Sequence, residues 1–310
     1  MNTSRFVAAL ALCAMLAPLS GAAQETNVLR VGTAPVEVGA LVYYAQDEGF
    51  FKKAGLDVQL VAAANGPAIA AAVASGTLDI GSGNALSIAI AHEKGLNFVY
   101  VAPAGAYTTT VPTAACVVGR NSPVHTAKDL DGKTIAVATL GSLGEIAFRA
   151  WLDQNGADLS TIKFVEMPYS AMDTAIASGR VEAAAMEEPA LDKLLAGDGR
   201  LLGHCYDAIA KSFSEGGYFA SADFVKTHLD LVRKFVAVIN QTARWANANQ
   251  STTAQILSKY SGMSTADLVH RVHYDDRMDA AELQPLINAA AKYGTLKAPF
   301  PASAIVATGL

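Results

Sequence analysis

The sequence has few charged residues, few cysteines and no cluster of basic residues. Charged side chains make up 16% of its 310 residues, and the formal net charge is −5. This excludes a nucleic-acid-binding protein, because such proteins carry a basic stripe. Beyond residue 23 no run of about 18 apolar residues occurs, so we expect no membrane-spanning helix. With 52% apolar residues, the chain is also too hydrophobic for a disordered protein.

Only three cysteines are present, and the first lies in an N-terminal segment typical of export signals. Arg5 supplies a positive charge, Phe6–Leu19 is apolar, and small residues follow. We therefore predict that residues 1–23 are a signal peptide and that the mature chain begins at Gln24. No cysteine occupies that position, so we expect a freely diffusing exported protein and not a lipid-anchored one.

Cys116 and Cys205 remain after processing. An oxidising compartment allows a disulfide between them, whereas two buried free thiols are equally compatible with the sequence. The histidines are not spaced around them as a zinc site requires, and we predict no metal site.

A segment of the chain recurs about a hundred residues further on. Residues 72–79, AVASGTLD, return as residues 175–182, AIASGRVE, and residues 29–33 are echoed by residues 134–139. Each copy reads as strand, helix, strand, helix, strand. Strands separated by helices of about ten residues predict βαβ units and a parallel sheet. Two such copies predict an α/β protein with two similar lobes and a cleft between them.

The end of the chain has no counterpart in the repeat and reads as mostly helical. We predict that this helical C-terminal tail packs back on the first lobe, which makes that lobe discontinuous. The predicted helices of the tail are 224–249, 267–272 and 280–293. The predicted domains are lobe 1, residues 24–112 plus 217–310, and lobe 2, residues 113–216.

Five segments of the chain, named at the end of this paragraph, follow one another in the order typical of substrate-binding proteins of ABC importers. They resemble the subgroup that includes nitrate, taurine, alkanesulfonate and thiamine-pyrimidine-precursor binders. The resemblance implies a two-lobed periplasmic-binding-protein fold of the second type, with parallel or mixed sheets. It also implies a periplasmic, non-enzymatic receptor that hands a small-molecule solute to an ABC importer permease in the inner membrane. We expect a monomer without a cofactor. The segments are AQDEGFFKKAGLDV at 45–58, SGTLDIG at 75–81, DLDGKTIAV at 129–137, ASGRVEA at 177–183 and EPA at 188–190.

The repeat also predicts where a ligand binds, because ligands of open parallel sheets lie beyond the carboxyl ends of the strands. Each lobe supplies two loops at such ends. They are 33–39 and 81–84 in the first lobe, and 139–144 and 186–189 in the second.

Loop 139–144 leads into a helix, so its N–H groups and the helix dipole suit an oxyanion, with Thr139 and Ser142 as hydroxyl donors. Alternatively, Ser142 is a plain helix N-cap. In the first lobe, Ser82 and Asn84 are candidate hydrogen-bonding residues, or Asn84 caps the next helix. Asn65, in an earlier turn, is a further candidate.

Acidic and aromatic residues complete the predicted site. Glu187 and Glu188 favour a cationic or N–H-rich ligand, as does Glu37 from the other lobe, although Glu188 alternatively begins a helix. Five tyrosines are candidate aromatic walls, and ordinary half-buried packing is the alternative. These are Tyr43, Tyr44, Tyr107, Tyr169 and Tyr218.

The glycine-containing loop and the acidic and aromatic residues favour different ligands. The loop at 139–144 favours an organic oxyanion such as a sulfonate or carboxylate, which we take as the first expectation. The acidic residues and tyrosines favour a pyrimidine-like or aromatic heterocycle. An enzyme or a sensor module with the same fold is a further alternative. His270 and His273, with Asp275 and Asp276, read as a solvated helix face and not as a metal site.

Overall fold

The computed structural model describes residues 28–63 and 66–310. The predicted signal peptide and Asn65 lie outside the described residues. The strands are β1 Val28–Thr33, β2 Asp57–Ala62, β3 Ile80–Asn84, β4 Phe98–Pro103, β5 Gly105–Thr108, β6 Ala114–Gly119, β7 Thr134–Val137, β8 Lys163–Glu166, β9 Ala183–Glu187, β10 Gly199–Gly203, β11 Ser212–Ser214, β12 Gly216–Ser221 and β13 His273–Tyr274.

The helices alternate with the strands in the first two thirds of the chain and dominate the last third. None of the described helices is long and apolar enough to cross a membrane. They are α1 Leu41–Asp47, α2 Phe50–Lys53, α3 Gly66–Ala74, α4 Ala85–Glu93, α5 Leu143–Gln154, α6 Tyr169–Ala177, α7 Ala190–Ala196, α8 Ala222–Thr227, α9 Leu229–Ala248, α10 Gln250–Ser261 and α11 Ala280–Lys292.

The repeat in the sequence corresponds to two separate five-stranded sheets of the same design. The first has the order β2-β1-β3-β12-β4, and the second has the order β8-β7-β9-β6-β10. In each sheet the first three strands are parallel, and the fourth runs antiparallel to them. The predicted α/β fold with two mixed sheets is confirmed. We call the two sheets with their helices the first lobe and the second lobe.

The fourth strand of each sheet follows directly on a segment that crosses between the lobes. The two crossing segments pair with each other, since β5 and β11 are antiparallel neighbours and Phe213 stands opposite Tyr107. β13 from the tail adds a third strand to this small sheet. The connection between the lobes is therefore a pair of extended segments held side by side.

The tail packs on the first sheet. Val232 and Phe235 of α9 share a core with Leu29 and Val31 of β1. On the other face of the sheet, Leu286 of α11 packs with residues of α4 and β4. The predicted domain boundaries stay a prediction, but the tail and the first sheet share their cores.

Two segments differ from the sequence prediction. Residues 81–84 were expected as a loop and instead belong to β3, where Ser82 pairs with Tyr218 of β12. Residues 267–272 were expected as a helix of the tail. Asp267 ends a short 3-10 turn and the residues after it are irregular, and the Arg271 side chain enters the interior, where its guanidinium lies 2.8 Å from the Glu37 carboxylate. A long-range ion pair thus overrides the local pattern.

Candidate functional site

The site is built around two carboxylates. One lies at the end of a strand of the second sheet, and the other lies in the second crossing segment. Glu187 is the last residue of β9, and Glu215 lies between β11 and β12. The two groups are close enough that the charge of Glu187 raises the pKa of Glu215. This pair lies at the point where the strands of both lobes converge, as the repeat predicts for a ligand.

Glu215 is the more enclosed of the two, with 9% of its surface exposed. Its backbone is fixed, because its N–H donates to Gly105 O at 3.0 Å and its carbonyl accepts from Ala85 N at 2.8 Å. Its carboxylate has no hydrogen-bond partner among the described residues. Burial, and then the charge of Glu187, raises its pKa to about 8.

Glu187 is held by tyrosine hydroxyls. Tyr206 Oη donates to Glu187 Oε1 at 2.5 Å, and Tyr169 Oη also interacts with this carboxylate. Burial raises the pKa of both phenols, and the charges of Glu187 and Glu215 raise it further. Both tyrosines therefore remain protonated donors, and they fix the orientation of Glu187. Tyr169 also lines a hollow of about 300 Å³ between α6 and α7.

The N-terminus of α5 lies beside this pair. A Cβ placed on Gly144 would be 3.9 Å from Tyr206 Oη, so the backbone of the first turn faces the same group that binds Glu187. Ser142 is the N-cap of α5, and its Oγ accepts from Glu145 N at 3.4 Å, which confirms the capping alternative. The N–H groups of Leu143 and Gly144 have no acceptor among the described residues.

The rest of loop 139–144 is less open to an anion than its sequence suggests. Leu140 N donates to the Glu166 carboxylate at 3.0 Å, and Gly141 N donates to the Glu145 carboxylate at 2.7 Å. Carboxylates of β8 and α5 therefore occupy two of the N–H groups that the prediction assigned to a ligand. Thr139 is exposed, and its role as a donor stays a prediction.

Two of the predicted aromatic walls are core residues of the first lobe. Tyr218 is fully buried, and its hydroxyl donates to Gly39 O at 2.9 Å and accepts from Val42 N at 3.2 Å. Tyr44 is also fully buried, and its hydroxyl accepts from Arg271 at 2.8 Å. Neither ring is exposed to a cleft, because both rings are packed in the core and both hydroxyls form hydrogen bonds within the protein.

Two further predicted walls are also buried. Tyr107 donates to Asp207 Oδ1 at 2.7 Å and has no exposed surface. Tyr43 is 3% exposed and stacks on Tyr260 at a centroid distance of 4.3 Å. The packing alternative therefore describes these four tyrosines, whereas Tyr169 is partly exposed beside Glu187 and its role as a wall stays a prediction.

The first-lobe polar candidates are largely engaged by the protein. Ser82 Oγ donates to Thr33 Oγ1 at 2.9 Å and is buried. Asn84 is exposed and caps α4, since its Oδ1 accepts from Ser87 N at 2.7 Å. Both side chains have a structural role, and ligand contact by either stays a prediction.

Glu37 belongs to a buried ion pair and not to an open carboxylate surface. Arg271 Nε donates to its Oε1 at 2.8 Å, and Tyr274 Oη donates to its carbonyl at 2.7 Å. Burial raises the pKa of Glu37, and Arg271 opposes this shift. Arg271 therefore already neutralises Glu37 in this structure, and an attraction of Glu37 for a cationic ligand stays a prediction.

Glu188 lies two residues before α7, and its carboxylate accepts from Asp192 N in the first turn of that helix at 3.1 Å, which agrees with a structural role at the helix start. His270 of the tail lies against the same turn, with Nδ1 2.7 Å from Asp192 Oδ2 and 3.6 Å from Glu188 Oε1. One ligand atom from each of these three residues lies within 4.8 Å of the others, a set that fits a small metal ion in composition. Burial raises the pKa of Glu188 to about 7.

Polar contacts join the lobes on both sides of the acidic pair. On one side His270 meets Asp192, as described above. On the other side Lys292 Nζ of α11 lies 2.6 Å from Asp153 Oδ2 of α5, and Tyr293 Oη donates to the same oxygen at 2.9 Å. Polar contacts between the lobes thus occur at two separate places.

Cys116 of β6 and Cys205 are joined in a disulfide, with Cα atoms 5.7 Å apart. It ties the second sheet to the segment that carries Tyr206, and both cysteines are fully buried. Because both sulfur atoms belong to the disulfide, these two cysteines are not available as zinc ligands.

Sequence reasoning missed Glu215 and Tyr206. A signal for Glu215 was available, because it is the one acidic residue between Asp207 and Asp223, in a segment that crosses between the lobes. Tyr206 carries no such signal, since its role depends on the fold that brings it to Glu187.

The comparisons with solved structures agree on the fold. The periplasmic aliphatic sulphonate binding protein SsuA from Escherichia coli is similar with a TM-score of 0.76 and 19% identity, covering 91% of this chain and 92% of that chain. The alkanesulfonate-binding protein SsuA from Xanthomonas axonopodis pv. citri, bound to MOPS, is similar with a TM-score of 0.69 and 21% identity, over 91% and 98% of the two chains. The desulfurization enzyme DSZB shares the fold at a TM-score of 0.68 and 15% identity, over 91% and 96%.

Sequence comparison gives the same picture. A putative binding protein of Brucella abortus is 24% identical over 274 residues, which cover 81% of this chain and 79% of that protein. The family model described as NMT1/THI5 like matches residues 38–253. This match spans most of both lobes, and the chain therefore belongs to the NMT1/THI5-like family.

Proposed function

We propose that this protein is an exported receptor that captures a small organic solute between its lobes and delivers it to an ABC importer permease. The observation that carries the proposal is the convergence of unengaged polar groups between two matching sheets: the Glu215 carboxylate and the Leu143 and Gly144 N–H groups. A solute that contacts both lobes would stabilise the arrangement in which the lobes are closed over it. The permease would then recognise this closed conformation. The related proteins named for binding solutes support this assignment.

An oxyanion on the solute fits the first turn of α5. Leu143 and Gly144 present free N–H groups at the positive end of a 12-residue helix, which is a favourable environment for a carboxylate or sulfonate oxygen. The MOPS and sulphonate named for the two solved relatives are compounds of this class. A second ligand class, pyrimidine-like heterocycles, is favoured by Glu187 and Glu215, which accept N–H donors.

A non-enzymatic role is part of the proposal, although one similar fold belongs to a desulfurization enzyme. The two described cysteines form a disulfide, so neither provides a thiol nucleophile. The polar groups around Glu187 are protonated phenols, which bind and orient. We further propose a periplasmic monomer, in keeping with the predicted signal peptide.

The first test is binding without turnover. The mature chain, produced in the periplasm and purified without denaturation, is examined by native mass spectrometry for a co-purified small molecule. Thermal unfolding is then followed with sulfonates, aliphatic carboxylates and pyrimidines, since a ligand specific for the folded state raises the melting temperature. Chemical conversion of a bound compound, or the absence of any bound compound, would contradict the proposal.

A further inference from the structure

We infer that Glu188, Asp192 and His270 form a site for a divalent transition-metal ion such as Zn²⁺, and that the ion bridges the two lobes. The inference goes beyond the proposed function, because it assigns a separate site and does not depend on which solute the protein binds. No local pattern reveals this site, since His270 and Asp192 are 78 residues apart in the chain.

Two of the three ligand groups are fixed to the second lobe and lie four residues apart. The backbone of Glu188 is held by its N–H, which donates to Thr113 O at 2.9 Å. Asp192 lies in the first turn of α7, and Leu194 of the same helix is buried in the core of the second lobe. Residues four apart at a helix lie on the same side of it, so the two carboxylates converge from a rigid element.

The third group, His270, reaches the same point from the tail. Its neighbours Leu268 and Val272 are buried in the core of the first lobe, and the guanidinium of Arg271 pairs with Glu37 at 2.8 Å. The chain on both sides of His270 is therefore anchored in the first lobe, while the imidazole lies against α7 of the second lobe.

The three groups are close enough to share one ion. His270 Nδ1 lies 2.7 Å from Asp192 Oδ2 and 3.6 Å from Glu188 Oε1, and one ligand atom from each residue lies within 4.8 Å of the others. Ligands at about 2.0–2.2 Å from a tetrahedral zinc ion are about 3.4 Å apart, so rotation of the side chains is enough to form the site. The side chains of Asp192 and His270 are half-exposed, which gives an ion a path of entry and leaves room for a water as the fourth ligand.

The charges at this site favour a divalent ion. Two carboxylates lie beside one imidazole, which supplies at most one positive charge when it is protonated. Lys193 is adjacent in sequence but forms its ion pair with Asp267, at 3.5 Å. One nitrogen and two oxygen ligands suit an ion such as Zn²⁺, whereas Mg²⁺ and Ca²⁺ take oxygen ligands. The alternative is an ion pair of His270 with Asp192 that no metal enters.

A metal at this place would act on the arrangement of the lobes. Because its ligands come from both lobes, separation of the lobes would remove His270 from the ion. The ion therefore binds the closed arrangement more tightly than the open one, and it shifts the population towards the closed arrangement.

The test measures Zn²⁺ binding by calorimetry on the mature chain, purified without a polyhistidine tag. The wild type is compared with His270→Ala, which removes the ligand of the first lobe, and with Asp192→Asn, which removes one from the second. His273→Ala is the matched control, because this histidine is exposed three residues further along the chain and lies outside the set of three. Mg²⁺ and Ca²⁺ are titrated in parallel, and circular dichroism checks that each variant is folded.

We expect the wild type to bind one Zn²⁺ at least tenfold more tightly than Mg²⁺ or Ca²⁺. His270→Ala and Asp192→Asn should each weaken Zn²⁺ binding at least tenfold, and His273→Ala should bind as the wild type does. If the wild type does not bind Zn²⁺, the three groups form an ion pair only and the inference is wrong. Unchanged Zn²⁺ affinity in His270→Ala, or a radius of gyration that increases with Zn²⁺ in X-ray scattering, would show that the ion does not bridge the lobes. Each of these outcomes leaves the receptor function standing.

Discussion

The hydroxyl of Tyr206 donates to the carboxylate of Glu187 across 2.5 Å. One residue follows the disulfide-bonded Cys205, and the other ends a central strand of the second sheet. The bond brings together two segments that are separate in sequence, and it positions an acidic group beside the N-terminus of α5. The proposed ligand specificity depends on this relationship.

Replacing Tyr206 by Phe should weaken binding of the solute that co-purifies with the protein by roughly tenfold, because a hydrogen bond to a charged group contributes about 1.5–3 kcal/mol. Without the hydroxyl, Glu187 loses its fixed orientation. Isothermal calorimetry measures the change. Tyr43→Phe is the matched control, because its hydroxyl makes only a 3.5 Å contact with Thr33 O. Equal affinity of both variants and the wild type would contradict a positioning role for Tyr206.

Stability should fall as pH rises through the titration of Glu215. Its pKa is raised from 4.5 to about 8 in the folded protein by burial and by Glu187, so between these values the folded state binds more protons than the unfolded state. The free energy of unfolding then decreases with pH, by at most about 1.4 kcal/mol per unit for this group.

Urea denaturation between pH 5 and pH 8 tests this pH dependence. Glu215→Gln should flatten the decrease, whereas Asp57→Asn, which removes one carboxylate at an exposed position on β2, should not. A residual slope of the same sign is expected in Glu215→Gln, because the pKa of Glu188 is also raised, to about 7. A Glu215→Gln variant with the full wild-type slope would exclude Glu215 as the source.

Removing the ion pair between α5 and α11 should favour opening of the lobes with little loss of stability, because it leaves the apolar packing of Ile146 with α11 as the contact between these helices. Lys292 and Asp153 form an exposed pair, with side chains 61% and 40% accessible, and such pairs typically contribute under about 1 kcal/mol. Asp153→Asn should therefore increase the radius of gyration of the ligand-free protein in X-ray scattering, while its urea midpoint changes little. Asp230→Asn, which alters a looser pair within α9, is the control. An unchanged scattering profile would mean that other contacts hold the lobes together.

Removing Arg271 should be far more damaging. The Arg271 side chain is 3% accessible and bonds Glu37 and Tyr44, so Arg271→Ala leaves a largely buried carboxylate without its cation. The expected loss of unfolding free energy is about 3–5 kcal/mol. Arg233→Ala, at a half-exposed site on α9, should cost under about 1 kcal/mol. Similar urea midpoints for the two variants would refute a structural role for the buried pair.

The repeat in the sequence predicted the two-lobed architecture because it consists of local sequence patterns. The segments around residues 72–79 and 175–182 both end a helix with Ser-Gly and lead into a central strand, α3 to β3 and α6 to β9. Helix caps are local too, so Ser142 and Asn84 were assigned correctly as alternatives from neighbouring residues alone. The helix expected at 267–272 failed because its competitor, the ion pair of Arg271 with Glu37, spans 234 residues.

The sequence by itself determined two similar α/β lobes and the family, and it predicts a ligand at the strand ends. Those features follow from short-range periodicity, turns and caps. Only the tertiary structure decided which side chains face that region. It buried Tyr44 and Tyr218, neutralised Glu37 with Arg271, and left the Glu215 carboxylate without a hydrogen-bond donor from the part of the chain that the structure describes. Burial and pairing depend on contacts between residues far apart in the chain, and no local pattern encodes them.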